Sequence, residues 1–294
     1  MLSRRNLTKL MSGLFVSAGT YSLHSTVVAQ TDPIVARAVE VEGRLNARLG
    51  FAAVDLDSGR RWSYHGEQRF PLCSTFKIVA AAAFLEKVDR GEDSLSRRVV
   101  LKKSDLVSYS PLTENRIGSE GLSMAEICEA AVTLSDNTAG NTILASLGGP
   151  AGVTQFAREL GDDVFRLDRW ETDLNEALIG DARDTSSPAA MIATLEKLLF
   201  GDVLSQTSKL QLRAWMIGNQ TGDAKLRAGF PESWVTGDKT GGGNNGTMAD
   251  VAFTLRNANA PLLVAVYMTE TAATFDQRNA GIADIGRAIA ELYA

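Results

Sequence analysis

The stretch GTMADVAFTLRNANAPLLVAVYM, residues 246–268, contains two runs of apolar and β-branched side chains. Such runs, separated by turn-forming residues, predict neighbouring β-strands at 246–256 and 261–268. The segment Asn257-Ala258-Asn259 is the predicted turn between them. Most of the chain before Trp234 follows a helical period instead, so these strands mark a change of architecture near the carboxyl end.

A second pair of strands is predicted near the amino end. Residues 50–55 and 61–64 carry aromatic and β-branched side chains on either side of the turn Asp57-Ser58-Gly59, which is typical of a β-hairpin. Helical patterns occupy residues 34–49, 74–89, 123–131, 138–147, 153–160, 188–200 and 276–292. Ser123 and Glu126 offer a capping box at the start of one of these helices.

Strands near both ends therefore bracket a helical middle, which indicates an α+β fold. We expect one antiparallel β-sheet, built from both ends of the chain and covered by helices from both termini, together with an all-helical lobe. The predicted α/β lobe comprises residues 30–72 and 217–294, and the predicted helical lobe comprises residues 73–216. The functional site is expected between the two lobes.

Composition excludes several function classes. The 294 residues include 30 Lys+Arg and 35 Asp+Glu, a formal net charge of −5, which gives no electrostatic footprint for nucleic acid. The chain has two histidines, and His24 lies in a segment predicted to be removed. A multi-histidine zinc site is then excluded, and a Ser-His-Asp triad would depend on His65, for which we expect a structural role. We expect no metal and no cofactor, and proton transfer by groups other than histidine.

The first 29 residues have the pattern of a signal peptide. Arg4, Arg5 and Lys9 form a basic head, an apolar middle follows, and cleavage is expected after Ala29. Ser3-Arg4-Arg5 also resembles a twin-arginine export signal, so both export routes stay open. Polar residues interrupt the apolar stretch, which argues against an uncleaved membrane anchor. We expect a periplasmic or secreted monomer with no stable membrane association.

The segment Ser74-Thr75-Phe76-Lys77 begins the apolar helix predicted at 74–89. A spacing of three places Ser74 and Lys77 on one face, within reach of each other. The helix N-terminus adds free N–H groups beside the serine, and apolar surroundings favour the neutral form of a lysine, which is a base. An activated serine without histidine follows. Without further motifs, the simpler interpretation of Ser74 and Lys77 is a serine that caps the helix N-terminus beside a solvated lysine.

Two further motifs follow in order along the chain. Ser135-Asp136-Asn137 precedes a helical segment, and Lys239-Thr240-Gly241 lies in a Gly-rich loop before a strand. With the segment at 74–77, they resemble the SxxK, SDN and KTG signature of serine β-lactamases and penicillin-binding proteins. Residues 169–175, RWETDLN, look like the class A β-lactamase loop that bears the deacylating glutamate. The resemblance runs from the hairpin before Ser74 to the final helix.

The resemblance to class A β-lactamases implies catalytic roles. Ser74 would attack the lactam carbonyl and form an acyl-enzyme. Its proton would pass to Lys77, or through a water to Glu171, and both routes stay open. Ser135 would protonate the leaving lactam nitrogen, and Glu171 would activate the water that hydrolyses the ester. The backbone N–H groups of Ser74 and Gly242 would form the oxyanion hole.

The resemblance also implies binding and structural residues. They are Lys239 and Thr240 for the substrate carboxylate, Asn137 for the side-chain amide, Asn175 for the hydrolytic water, Gly241 for close approach of the strand, Tyr109 for an aromatic wall, and Arg169 with Asp184 for the ion pair that closes the loop. Many members carry an arginine on the strand after the KTG motif, where Met248 stands here. Arg278 is the preferred substitute and Lys225 the second, although either is equally well explained as a solvated surface charge.

The two cysteines lack the partners that the family uses. Cys128 matches one half of a common disulfide whose other position holds Ala81, and Cys73 matches a cysteine that some members pair with the position of Gly243. Both thiols are therefore expected to be free.

The predicted function is hydrolysis of the β-lactam ring of penicillins and cephalosporins, small-molecule substrates, which would confer β-lactam resistance. A DD-peptidase acting on peptidoglycan would share the three short motifs, but it would not account for Glu171 and Asn175. A non-enzymatic antibiotic sensor would stay acylated, and such receptors normally carry transmembrane helices, which the sequence after the signal does not offer.

Overall fold

The structure, a computed structural model, describes residues 32–257 and 260–294. The signal peptide predicted at 1–29 and the turn residues Ala258 and Asn259 lie outside the described residues. The described strands are β1 (Arg48–Asp55), β2 (Arg61–Tyr64), β3 (Phe70–Pro71), β4 (Arg98–Val99), β5 (Leu122–Ser123), β6 (Thr185–Ser186), β7 (Val235–Gly242), β8 (Met248–Leu255) and β9 (Pro261–Thr269).

Most of the described helices lie between β3 and β7. They are α1 (Pro33–Leu45), α2 (Phe76–Asp89), α3 (Met124–Thr133), α4 (Asn137–Ser146), α5 (Pro150–Glu159), α6 (Pro188–Leu199), α7 (Gln206–Ile217), α8 (Leu226–Gly229) and α9 (Phe275–Ala290). In the ranges 32–257 and 260–294, no helix is long and apolar enough to cross a membrane.

The main sheet has five antiparallel strands in the order β2-β1-β9-β8-β7. It joins strands from both ends of the chain, so the predicted α+β class is confirmed. Along β9, Leu262, Val264 and Val266 pack in a core with α1 and α9, whereas Leu263 and Ala265 pack in a second core with α2, α3, α6 and α7. This period of two buries both faces of the sheet under helices.

The amino-terminal elements follow the predicted pattern with one shifted boundary. The predicted hairpin is present as β1 and β2, with Phe51 opposite Tyr64. The first helix ends at Leu45, four residues before the predicted end at residue 49, because Asn46 takes a left-handed conformation with φ 42°. Strand β1 then begins at Arg48, so residues expected in the helix belong to the sheet.

Polar caps set the starts of the helices that border the site. Ser123 Oγ accepts from the N–H of Glu126 at 3.3 Å, and Glu126 Oε2 accepts from the N–H of Ser123 at 2.8 Å, so the predicted capping box is confirmed. Asp136 caps α4 by accepting from the N–H of Ala139 at 2.8 Å. Such caps satisfy N–H groups that have no partner inside the helix.

The KTG motif was predicted in a loop, and that placement was wrong. Lys239, Thr240 and Gly241 lie within β7, which pairs with β8 at the edge of the sheet. The sequence pattern did not predict this strand because its glycines have low β-propensity. One of them is required by packing: a Cβ on Gly237 would lie 2.4 Å from Cε1 of Phe253.

Candidate active site

Most of the predicted catalytic and binding residues meet at one cleft with a volume of about 490 Å³. Nine of its lining residues were predicted site residues: Ser74, Tyr109, Ser135, Asn137, Asn175, Thr240, Gly241, Gly242 and Arg278. The remaining lining residues include Thr221, Lys225, Thr247, Met248 and Phe275. Lys77, Glu171 and Lys239 are buried next to this cleft.

Ser74 lies in a 3₁₀ turn, Cys73–Thr75, which leads directly into α2. Lys77 is in the first turn of α2, and its Nζ donates a hydrogen bond to Ser74 Oγ at 2.9 Å. The predicted spacing of three thus places the amine against the hydroxyl. Ser74 Oγ in turn donates to Glu171 Oε1 across 3.4 Å, so the hydroxyl lies between two candidate bases.

The Lys77 side chain is fully buried, and its Nζ contacts four groups of the site. Besides Ser74, Nζ donates to the carbonyl of Ser135 at 2.8 Å and to Asn137 Oδ1 at 2.6 Å. Glu171 Oε1 lies 3.0 Å from the same nitrogen. Burial lowers the pKa of Lys77, and the carboxylate of Glu171 opposes that shift. The direction agrees with the expectation for a lysine in apolar surroundings.

Ser135 and Asn137 of the SDN motif line the cleft, whereas Asp136 stabilises the surrounding backbone. Ser135 has φ 59° and joins α3 to α4, so that its carbonyl meets Lys77. Asp136 is fully buried and, besides capping α4, accepts from the N–H groups of Leu112 and Thr113 at 3.0 and 2.9 Å. The backbone N–H of Asn137 donates to the carbonyl of Tyr109 at 3.0 Å. These bonds hold the exposed Tyr109 at the rim.

Glu171 is held by two asparagines. Asn141 Nδ2 donates to the Glu171 carbonyl and Asn141 Oδ1 accepts from the Glu171 N–H, each at 2.9 Å. Asn175 Nδ2 donates to Glu171 Oε2 at 2.5 Å. The buried Asn175 Oδ1 accepts no hydrogen bond from the part of the chain that the structure describes. Asn141 was missed in the sequence analysis; its position one helical turn after Asn137 is the signal that could have found it.

The loop that carries Glu171 is closed by an ion pair. Asp184 accepts from Arg169 Nε at 2.6 Å and from the backbone N–H groups of Asp168 and Arg169 at 2.7 and 2.9 Å. Arg169 also contacts Glu176 through Nη1 at 2.6 Å. The side chain of Asp184 is 1% exposed. The structure therefore brings together the two residues that the sequence paired across this loop.

The β7 side of the cleft carries the KTG residues. Lys239 is fully buried, and Nζ donates to the carbonyl of Thr240 at 3.0 Å. Burial, together with the charge of Lys77, lowers the pKa of Lys239 to about 7. Thr240 Oγ1 lies 2.6 Å from Thr221 Oγ1. A Cβ on Gly241 would lie 3.0 Å from the carbonyl oxygen of Leu72, so glycine lets β7 pack closely against the turn that bears Ser74.

Comparisons with known proteins agree with this geometry. A model of the β-lactamase enzyme family matches residues 35–293. The class A β-lactamase of the last common ancestor of Gram-negative bacteria (GNCA4) is 52% identical, with a TM-score of 0.87, and the match covers 89% of this chain and 99% of that chain. The chain belongs to the class A β-lactamases. A putative class A β-lactamase, PenP from Rhodopseudomonas palustris, is 50% identical, with a TM-score of 0.87, 89% of this chain and 100% of that chain being covered.

Membership makes this class A β-lactamase an enzyme that hydrolyses β-lactams. Its cleft contains two cations beside β7. Lys225 Nζ lies 5.3 Å and Arg278 Cζ 5.9 Å from the ring centroid of Phe275. Burial lowers the pKa of both Lys225 and Arg278. Both side chains line the cleft, where Lys225 is buried and Arg278 is half-buried. Met248 lines the same region.

The cysteines and the histidine were given no catalytic role in the sequence analysis, although Cys73 directly precedes Ser74 in the same turn. Cys73 and Cys128 are free and buried, and burial raises the pKa of each thiol. His65 stacks on Tyr64 with ring centroids 4.0 Å apart, and its Nδ1 lies 3.0 Å from the Leu49 carbonyl oxygen. In residues 32–257 and 260–294, no group of three or more His, Cys, Asp and Glu side chains is arranged to hold a metal ion.

Proposed function

We propose that this β-lactamase hydrolyses penicillins and cephalosporins through an acyl-enzyme on Ser74 and thereby confers β-lactam resistance. One observation carries the proposal: Lys77 Nζ lies within 3.0 Å of Ser74 Oγ, Glu171 Oε1, the Ser135 carbonyl and Asn137 Oδ1. A nucleophile beside a buried amine and a carboxylate is the arrangement that activates a serine without histidine.

In acylation, Ser74 Oγ bonds to the lactam carbonyl carbon and the carbon–nitrogen bond of the ring breaks. Lys77 accepts the serine proton directly at 2.9 Å, or Glu171 accepts it through a water. Ser135 delivers a proton to the departing nitrogen. The N–H groups of Ser74 and Gly242 stabilise the oxyanion, and one such donor contributes typically ~3–4 kcal/mol to the transition state.

In deacylation, Glu171 takes a proton from a water that attacks the ester carbonyl, and Ser74 is regenerated. Two observations support this role. The Glu171 carboxylate is held by Asn175 Nδ2, and its backbone is held by Asn141. Asn175 Oδ1 is a buried acceptor without a partner among the described residues, and an acceptor of this kind suits a water molecule that needs two to four polar neighbours.

Substrate orientation follows from the charged side of the cleft. Lys239 and Thr240 bind the substrate carboxylate, and Arg278 assists them, with Lys225 as the second cation. Asn137 holds the side-chain amide and Tyr109 forms an aromatic wall at the entrance. The exposed ring of Tyr109 and the positions of the two cations on the cleft support this orientation.

The remaining predictions are part of the same proposal. Residues 1–29 direct export and are removed after Ala29, so the enzyme acts in the periplasm or outside the cell, as a monomer. The mature chain has an α/β lobe, residues 30–72 and 217–294, and a helical lobe, residues 73–216, with the active site between them. The burial of the catalytic groups between α2, α4 and β7 supports this division.

Turnover of a chromogenic cephalosporin and of a penicillin tests the proposal. The wild-type enzyme should hydrolyse both, and Ser74→Ala should abolish hydrolysis. Glu171→Gln should accumulate a covalent adduct, visible by mass spectrometry, because Ser74 is still acylated but the base needed for hydrolysis of the ester is missing. Asp173→Asn, which changes an exposed carboxylate of the same loop, is the matched control and should turn over normally.

The same measurements separate the alternatives. Rapid release of the adduct from Glu171→Gln would refute the role of Glu171. A wild-type enzyme that is labelled in one burst without turnover would be a sensor, and faster cleavage of a D-Ala-D-Ala peptide than of either antibiotic would identify a peptidase. Absence of hydrolysis by folded wild-type protein would refute the proposed substrates.

A further inference from the structure

Two buried carboxyl groups lie beneath the side of the cleft lined by Thr240 and Lys225, where the substrate carboxylate is proposed to bind. Asp238 in β7 and Asp250 in β8 are both fully buried. Asp250 is directly opposite Thr240 in the strand register, and Asp238 is two residues before Thr240. Cross-strand partners and residues two apart share one face of a sheet. Both carboxyl groups therefore face the segment 219–229, which contributes Thr221 and Lys225 to the cleft.

The two carboxyl groups have unequal partners. Asp238 accepts from Arg227 Nε at 2.5 Å and from Asn219 Nδ2 at 2.7 Å, so a cation balances its charge. Among the described residues, Leu226 alone donates to Asp250 Oδ2, through its backbone N–H at 3.1 Å. Asp250 Oδ1 has no donor among the residues that the structure describes. An ionised carboxylate with a bare oxygen in such a site is strongly disfavoured.

A proton removes this conflict, because a protonated carboxyl oxygen is a donor. Asp238 is the hydrogen-bonding neighbour that would receive it, and burial together with Asp238 raises the pKa of Asp250 well above its ordinary value. The charged and titratable groups around this pair are Lys239 on β7, Lys225 and Arg227 on the segment 219–229, and Tyr267 on β9. Asp223 and Arg278 affect the pair's neighbours Lys225 and Arg227.

We propose that Asp250 is a neutral carboxylic acid that donates a hydrogen bond to Asp238, and that it is a positioning residue for substrate-carboxylate binding. The pair holds the segment 219–229 against β7 and β8, and its neutral member leaves the positive charge of Lys225 free to act on the substrate. The second half of this inference rests on the proposed function, because it takes the substrate anion to bind beside Lys239 and Thr240.

The charge argument follows from the surroundings of Lys225. Its ammonium donates to the Thr221 carbonyl at 3.1 Å and lies over the ring of Phe275. Within the described ranges, no carboxylate forms an ion pair with it. An ionised Asp250 would be a counter-charge for Lys225 on the same sheet face and would weaken the attraction of Lys225 for a substrate anion. A proton on Asp250 removes that competition.

Two substitutions distinguish a neutral from an ionised Asp250. Asp250→Asn reproduces the neutral acid, since its amide donates to Asp238 and its carbonyl accepts from Leu226. Asp250→Ala removes both bonds. For a penicillin at neutral pH, we expect KM to rise about tenfold in Asp250→Ala with kcat within about twofold, and Asp250→Asn to restore most of that loss. Glu232→Gln changes an exposed carboxylate between this segment and β7 and should leave KM unchanged.

Two readouts do not depend on hydrolysis, so they test the proton even if the proposed substrates are wrong. The infrared spectrum of the wild-type enzyme at neutral pH should contain a protonated-carboxyl band that Asp250→Asn lacks. Because the folded-state pKa of Asp250 is raised, the wild type loses stability relative to Asp250→Asn as pH rises above the ordinary aspartate range. Absence of the band, a stability difference independent of pH, or an Asp250→Asn KM as high as that of Asp250→Ala would overturn the inference.

Discussion

Removal of the Asp184 carboxylate is the perturbation with the largest expected effect away from the cleft. This carboxylate accepts three hydrogen bonds at 2.6–2.9 Å, one from the Arg169 side chain and two from the backbone N–H groups of Asp168 and Arg169. Its side chain is 1% exposed, so water does not replace these bonds. Asp184→Ala therefore leaves a guanidinium and two N–H groups without their acceptor.

The magnitude follows from these contacts. Removal of one partner from a buried ion pair costs about 3–5 kcal/mol. Arg169 is 16% exposed and keeps Glu176 at 2.6 Å, which favours the lower end of this range. We expect Asp184→Ala to lower the free energy of unfolding by about 3 kcal/mol, which corresponds to a fall in Tm of about 6–12 °C for a domain of this size.

Urea denaturation followed by circular dichroism measures the change, and Asp181→Ala is its matched control. Asp181 pairs with Arg183 at 2.7 Å in the same loop, but Arg183 is 46% exposed, so loss of this pair should lower the midpoint much less than loss of Asp184. The buried pair also positions the loop that carries Glu171, so Asp184→Ala should release its acyl-enzyme more slowly. A free energy of unfolding within about 1 kcal/mol of the wild-type value would refute the reasoning.

Three further predictions concern the cleft and the thiols. Asn141→Leu removes two hydrogen bonds to the Glu171 backbone and should lower the single-turnover rate of deacylation about tenfold, more than that of acylation. Because the pKa of Lys239 is about 7, kcat/KM for carboxylated β-lactams should fall as pH rises through 7; the methyl ester of the same substrate, which lacks the anion, should show no such fall. Cys73 and Cys128 should resist a thiol reagent in the native enzyme and react, both of them, after unfolding without reductant; a lower count would indicate a disulfide.

Local signals in the sequence were sufficient for the fold class and for much of the site. The alternation in 246–268 and the hairpin at 50–64 depend on neighbouring residues alone, and both became strands of the main sheet. The spacing of Ser74 and Lys77 likewise depends on one helical turn. Patterns of this kind depend on neighbouring residues, so they can be recognised without knowledge of the rest of the chain.

Other features could not be predicted from the sequence because contacts between distant residues determine them. Strand β7 contains Gly237, Gly241 and Gly242, and its identity depends on pairing with β8 and on the close approach of Phe253 and Leu72. The helix predicted to reach residue 49 ends at Leu45, since Arg48 pairs with Thr269 of β9. The helix or strand propensity of a segment predicts its structure poorly when a strand distant in sequence supplies its backbone hydrogen bonds.

The sequence by itself determined which chemical groups this β-lactamase has: Ser74, Lys77 and Glu171 in place of a histidine, within recognisable motifs. Only the tertiary structure decided their environment. It buried Lys77 against four partners, held Glu171 by Asn141, and placed Asp250 beside Asp238 with an oxygen that has no donor in the described chain. The physical reason is that burial and opposing charges set a pKa, and both come from residues far apart in sequence.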